Sequence, residues 1–71
     1  MNADLLKGKI IASGHSVSWL AESMGISVSY FYRKLQNPSE SFNVQDIMKI
    51  RDSLNLSLDE VNSIFFSDII A

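Results

Sequence analysis

Apolar side chains recur every three or four positions along almost the whole chain of 71 residues. This spacing is typical of amphipathic α-helices, and no stretch alternates with the period of two long enough to predict a β-strand. The pattern and its capping residues together predict five helices, at 3–13, 17–24, 28–36, 44–54 and 58–66. We therefore expect a compact all-α fold in which residues 1–71 form a single domain.

Polar residues at the ends of these segments set the predicted boundaries. Ser16 and Ser27 can each accept a hydrogen bond from the orphan amides of the helix that follows. Asn43 and Ser57 each stand three positions before an acidic residue, which predicts a capping box at the start of the fourth and fifth helices. The third helix should end at Asn37, because the residue before a proline is driven out of the helical region.

Residues 16–36 predict two short helices joined by a tight turn, which is the helix-turn-helix arrangement. Ala21 is small at the point where two such helices must cross closely. Gly25 can adopt the left-handed backbone that the turn requires. Phe31 and Leu35 lie four positions apart and can anchor the second of the two helices, so that its opposite side remains exposed.

This segment resembles the lambda-repressor-like helix-turn-helix family of phage Cro and repressor proteins. The resemblance is carried by Leu20-Ala21-Glu22-Ser23-Met24-Gly25-Ile26-Ser27, then Phe31 and Arg33-Lys34-Leu35. It extends to small phage proteins of the Cro type through residues 42–50 and Ile64-Phe65-Phe66, and it covers roughly residues 5–66. The family implies a five-helix lambda-repressor-like DNA-binding domain with its helix-turn-helix at helices two and three.

The resemblance also implies which residues meet DNA, since in this family the third helix enters the major groove by its N-terminal end. Carried over position by position, the base-reading residues are Val28, Ser29 and Arg33, which we expect to lie opposite Phe31 and Leu35. Arg33 is the strongest candidate because its guanidinium can bind O6 and N7 of guanine together. Contacts to the DNA backbone are expected from Ser16, Ser27, Tyr32, Lys34 and Asn37.

Two positions depart from the pattern of the family. Val17 stands where a Gln often opens the second helix and contacts the DNA backbone. Asn37-Pro38 follows the third helix where a Gly is usual. Asn tolerates a left-handed backbone, so we expect the fold to survive, whereas the support for loop contacts to phosphate is weaker.

The charge of the chain is divided unevenly between its two halves. The net charge of −2, taken alone, argues against a nucleic-acid partner. Residues 1–39, however, carry four bases against two acids, a net +2, and residues 40–71 carry two bases against six acids, a net −4. The predicted reading helix therefore lies in the basic half, and local charge decides which face meets a polyanion. We expect weak non-specific DNA affinity, because few phosphates can be neutralised per chain.

The chain lacks the residues that several kinds of chemistry need. The chain has no Cys and one His, which excludes disulfides, thiolate zinc sites and multi-histidine metal cages. The acidic residues are explained by helix starts, and the serines lack a His–acid framework, so we expect no enzyme activity and no cofactor. No apolar run approaches the length of a membrane span, and we expect a cytoplasmic protein without membrane contact.

The end of the chain is richer in apolar residues than one short helix usually hides. The residues concerned, within segment 57–71, are Ile64, Phe65, Phe66, Ile69 and Ile70. Two interpretations stay open: ordinary closure of the core, or an interface for a dimer or another partner. A dimer is attractive because palindromic operators match a protein with two-fold symmetry.

The sequence therefore predicts a phage- or prophage-type Cro-like transcriptional regulator that binds operator DNA as a homodimer. The alternative is an antirepressor or modulator that binds a partner phage repressor, favoured by the acidic total charge, Val17 and the cluster Tyr30-Phe31-Tyr32. Trp19 and Tyr30 can each belong to the core, a DNA-backbone contact or a protein interface. His15 is interpreted as a solvated turn residue, with a phosphate contact as the alternative.

Overall fold

Five α-helices form the described part of the chain, which is residues 1–37 and 42–66 of a computed structural model. They are α1 (Ala3–Ala12), α2 (Val17–Ser23), α3 (Val28–Gln36), α4 (Val44–Leu54) and α5 (Leu58–Phe65). No strand occurs within those two ranges. The prediction of an all-α fold is confirmed, and the starts of all five helices are those expected from the sequence.

Side-chain caps fix these starts. At every helix the N-cap side chain accepts a hydrogen bond from the backbone N–H three residues further on, the caps being Asn2, Ser16, Ser27, Asn43 and Ser57. The two predicted capping boxes are both present, because Asp46 and Glu60 accept in return from the N-cap backbone amides. Each cap satisfies an amide that has no partner inside its own helix.

The helix ends differ slightly from those predicted. α1 ends at Ala12, one residue before the expected end, and α5 ends at Phe65 with Phe66 as its C-cap. Asn37 closes α3 in extended backbone, with φ −108° and ψ 107°. The left-handed backbone considered for Asn37 is therefore not used, since a residue before proline favours the extended region.

All five helices contribute to one hydrophobic core. Its buried residues are Leu6, Ile10, Leu20, Ala21, Met24, Phe31, Phe42, Ile50, Leu54, Val61, Ile64 and Phe65. Leu35, which we expected to anchor α3, and Ile47 of α4 are partly buried and pack against the edge of this core. No polar side chain is buried among the described residues, so the core contains apolar groups alone.

Three aromatic rings connect α3 to α5 through this core. The centroids of Phe31 and Phe42 are 5.3 Å apart, and those of Phe42 and Phe65 are 6.4 Å apart with the rings nearly perpendicular. Edge-to-face and tilted pairs of this kind add to the energy of apolar burial. Phe42, just before α4, therefore connects α3 to α5 through its ring.

Two polar contacts hold α1 against α5. The backbone N–H of Asn2 donates to the carbonyl of Ile64 at 2.6 Å, and the ammonium of Lys9 lies 2.5 Å from Oε2 of Glu60. The other oxygen of Glu60 accepts from the Ser57 backbone N–H at 3.0 Å. The hydrogen bond from Lys9 and those with Ser57 lower the pKa of Glu60 from its usual 4.5 to about 2.

The apolar residues near the end of the chain have different environments. Ile64 is fully buried and Phe65 nearly so, which favours core closure over an interface for these two residues. Phe66 is half-buried against the core. Ile69 and Ile70 lie outside the described residues. None of the helices in 1–37 and 42–66 is long and apolar enough to cross a membrane.

Candidate nucleic-acid interface

The third helix is the element on which most of the predicted site residues lie. It packs chiefly on α2, and Phe31 is its only buried residue. Its sequence contains two bases and no acid. One aromatic side chain thus anchors α3, and most of the surface of the helix is exposed to solvent. The helix has no acidic side chain.

The connection between α2 and α3 is short, and a glycine and a backbone hydrogen bond fix its conformation. Met24 caps α2, Gly25 adopts a left-handed backbone with φ +74°, and the N–H of Ile26 donates to the carbonyl of Ala21 at 3.0 Å. A Cβ on Gly25 would meet nothing within 4 Å, so the backbone conformation and not space requires glycine here. Ala21 is fully buried.

The predicted base-reading residues occupy two sides of α3. Ser29 and Arg33 are four positions apart and both exposed, and helical spacing places them on the side away from Phe31. Val28 is 37% exposed, but it lies two turns before Leu35 and therefore on the same side as that residue. The expectation that Val28 lies opposite the anchors is wrong; it is accessible because it belongs to the first turn.

The two cations of α3 gather around one aromatic ring. Cζ of Arg33 and Nζ of Lys34 each lie 5.1 Å from the ring centroid of Tyr30, which is itself 38% exposed. Both distances are within the range of cation–π attraction. The contacts follow from the spacings of three and four residues, which bring side chains together on a helix surface. These contacts were not predicted from the sequence, in which the core, a DNA-backbone contact and a protein interface all stayed open for Tyr30.

The residues predicted to contact the DNA backbone are distributed over both helices. Ser16 and Ser27 accept from the backbone N–H groups of Trp19 and Tyr30, each at 3.1 Å. A capping hydroxyl accepts through its oxygen and still has a proton to donate to another group. Among the remaining candidates, Tyr32 is exposed, whereas Lys34 and Asn37 are half-buried.

An aromatic pair lies beside the start of α2. The rings of His15 and Trp19 stack with their centroids 3.6 Å apart and their planes inclined by 9°. His15 is exposed, in keeping with a turn residue, and Trp19 is partly buried against the core. The imidazole covers one face of the indole. The sequence does not predict this contact, because His15 precedes the helix and helical spacing does not apply to it.

The described residues hold no group of three or more His, Asp or Glu side chains that could bind a metal ion. Comparison of the chain with protein-family models, with curated proteins and with solved structures gives no match.

Proposed function

We propose that this chain is a sequence-specific transcriptional regulator of the phage Cro type, in which α2 and α3 act as a helix-turn-helix and α3 reads the major groove of operator DNA. The observation that carries the proposal is the exposed side of α3. Ser29 and Arg33 lie there one turn apart, Lys34 stands beside them, and α3 itself contains no acidic residue.

The groups on this side of α3 match what the major groove presents. The groove is wide enough to admit an α-helix, and guanine offers two acceptors that a guanidinium binds together. Arg33 therefore has the role of reading a guanine, and the hydroxyl of Ser29 can bond to several bases. Val28, in the first turn, contacts a thymine methyl group in this proposal.

The flanking residues supply contacts to the sugar-phosphate backbone. Ser16 and Ser27 donate their hydroxyl protons while their oxygens keep the capping bonds. Lys34 supplies charge, Tyr32 supplies a hydroxyl midway along the helix, and Asn37 supplies a polar group at its C-terminal end. Such contacts fix the position of the protein on the duplex and carry no sequence information themselves.

Repression follows from occupancy of the operator, which excludes polymerase or a competing repressor. A homodimer fits this function because two copies match the two halves of a palindromic site. Ile64 and Phe65 are buried in the domain, so the dimer proposed here uses other residues. A strictly monomeric sedimentation profile at high concentration, with and without DNA, would remove the dimer from the proposal.

Substitution of Arg33 tests the proposal directly. Duplex fragments are first selected from the source genome with the wild-type protein at low salt. Arg33→Ala should then bind the selected fragment about 5- to 150-fold more weakly, a loss of about 1–3 kcal/mol, and should tolerate changes at one base pair. Fluorescence anisotropy with the selected duplex and its single-base variants measures both effects.

Arg51→Ala is the matched control. Arg51 is also exposed, but it lies on α4 and pairs with Asp52 at 3.3 Å. We expect its loss to leave DNA affinity within about twofold, since a surface substitution away from the site has little effect. If the wild-type protein selects no fragment at low salt, or if Arg33→Ala and Arg51→Ala behave alike, direct reading of DNA through Arg33 is wrong.

A second candidate function is favoured by the surface of α4. Val44 and Met48 lie four positions apart on this helix with 71% and 49% of their surfaces exposed. Exposed apolar neighbours are typical of protein contacts. In this alternative the chain is an antirepressor or modulator that binds a partner phage repressor. It predicts that selection yields fragments only when the partner repressor is present, and that Val44→Asp abolishes this effect.

A further inference from the structure

The surface of α3 contains an aromatic residue to which the proposed function assigns no contact with DNA. Tyr30 is partly exposed, and its backbone N–H is occupied by the Ser27 cap. Its ring lies 5.1 Å from both the guanidinium carbon of Arg33 and the ammonium nitrogen of Lys34. Both cations of this helix thus contact the same ring.

Two cations that contact the same ring are confined to a small region. Long, flexible side chains such as Arg and Lys lose much rotamer freedom when they are fixed at a binding surface. An aromatic ring that attracts the cations in the unbound protein removes part of this freedom before binding. It also gathers two positive charges, which repel one another, at the edge of the helix proposed to meet DNA.

We propose that Tyr30 is a positioning residue, which holds the Arg33 and Lys34 cations ready for an anionic duplex without contacting the duplex itself. This inference rests on the proposed function, because the duplex is the partner for which the cations are held. The ring acts through its π-face, and the phenolic hydroxyl has no part in the role.

Two substitutions separate the ring from the hydroxyl. Tyr30→Leu removes the π-face, and Tyr30→Phe keeps it and removes the oxygen. On the duplex selected by the wild-type protein, Tyr30→Leu should bind about 3- to 10-fold more weakly, and Tyr30→Phe should bind within about twofold of wild type. The thermal unfolding midpoints of both variants show whether Tyr30 acts only by stabilising the fold. We expect them to stay within a few degrees of wild type.

A measurement without DNA tests the contact itself. Protons that lie over an aromatic ring are shifted upfield in NMR spectra, so the δ-protons of Arg33 and the ε-protons of Lys34 should move downfield in Tyr30→Leu and stay in place in Tyr30→Phe. Tyr32→Leu is the matched control for this measurement. It removes another exposed ring of α3, for which no cation contact is found in the described residues, and should leave these shifts unchanged.

The outcomes are distinguishable. Unchanged shifts in Tyr30→Leu overturn the contact, and wild-type affinity in Tyr30→Leu overturns the positioning role. Loss of affinity in Tyr30→Phe equal to that in Tyr30→Leu overturns the role as well, because the hydroxyl would then contact the duplex. If the wild-type protein binds no duplex while the shifts behave as expected, the proposed function fails, and the positioning role for DNA fails with it, although the ring–cation contact stands.

Discussion

Trp19 and His15 illustrate how strongly a single residue outside a helix can shape the surface next to it. Trp19 is the one tryptophan of the chain and His15 the one histidine. The imidazole of His15 covers a face of the Trp19 indole that would otherwise meet water. The environment of Trp19 can therefore be followed by fluorescence without interference from another indole.

Removal of the imidazole should expose Trp19. We expect His15→Ala to shift the emission of Trp19 to longer wavelength and to cost about 0.5–1.5 kcal/mol of unfolding free energy, the range measured for aromatic pairs. His15→Phe, which keeps a ring, is the control and should leave the emission near its wild-type position. An unchanged emission maximum in His15→Ala would show that the stack does not persist in solution.

Residue-scale predictions from the sequence succeeded where a rule is local. The N-cap at Ser27 and the end of α3 at Asn37 are confirmed, because capping and the restriction before proline depend on neighbours in the chain. The prediction that Val28 lies opposite Leu35 is wrong because the seven positions between them make two helical turns. The stack of His15 on Trp19 was missed because the conformation of a turn is not fixed by periodicity.

At the scale of helices, Glu60 joins two elements through its two carboxylate oxygens. One oxygen completes the capping box of α5, and the other pairs with Lys9 of α1. Because these bonds lower its pKa from 4.5 to about 2, Glu60 stabilises the fold fully above pH 4.5 and loses this contribution as the pH falls toward 2.

The pair predicts a specific dependence on acid. Lys9→Met should lower the urea midpoint at pH 7, and the difference from wild type should shrink between pH 4.5 and 2, where Glu60 of the wild type becomes protonated. Lys7→Met is the control, since Lys7 lies 4.0 Å from Asp4 within the same helix. A difference between Lys9→Met and wild type that is constant from pH 7 to 2 would contradict a role for the ion pair.

The helices themselves were more predictable than their contacts. Periodicity and caps indicated every helix start, because both depend on residues a few positions apart. The pairing of α1 with α5 through Lys9 and Glu60 joins residues that are far apart in sequence. No local pattern contains that information, and the same holds for the path from Phe31 through Phe42 to Phe65.

At the scale of the whole molecule, α5 has one side in the core and another side in solvent. Ile64 is fully buried, whereas Leu58, on the same helix, is 73% exposed. A chain of this size is expected to have only about 4–10 kcal/mol of unfolding free energy. The loss of one well-packed core side chain is therefore a large part of the total.

Ile64→Ala should lower the unfolding free energy by about 2–5 kcal/mol, as expected for a buried aliphatic residue, and Leu58→Ala should change it by less than about 0.5 kcal/mol. Urea titration followed by circular dichroism measures both. Sedimentation of the folded fraction should show no change of oligomeric state in Ile64→Ala. Equal stability losses in the two variants would contradict the core position of Ile64.

The hydrogen bond from Asn2 to Ile64 has a consequence for synthesis in the cell. It joins the first turn of the fold to the last helix, and Leu6 and Ile10 share their core with Val61 and Ile64. Chains grow from the N-terminus at about 5–20 residues per second. On the ribosome α2 and α3 are made seconds before α5, but the core that anchors them cannot close until Ile64 has been added. The proposed DNA-reading helix is therefore held firmly only once translation has passed that residue.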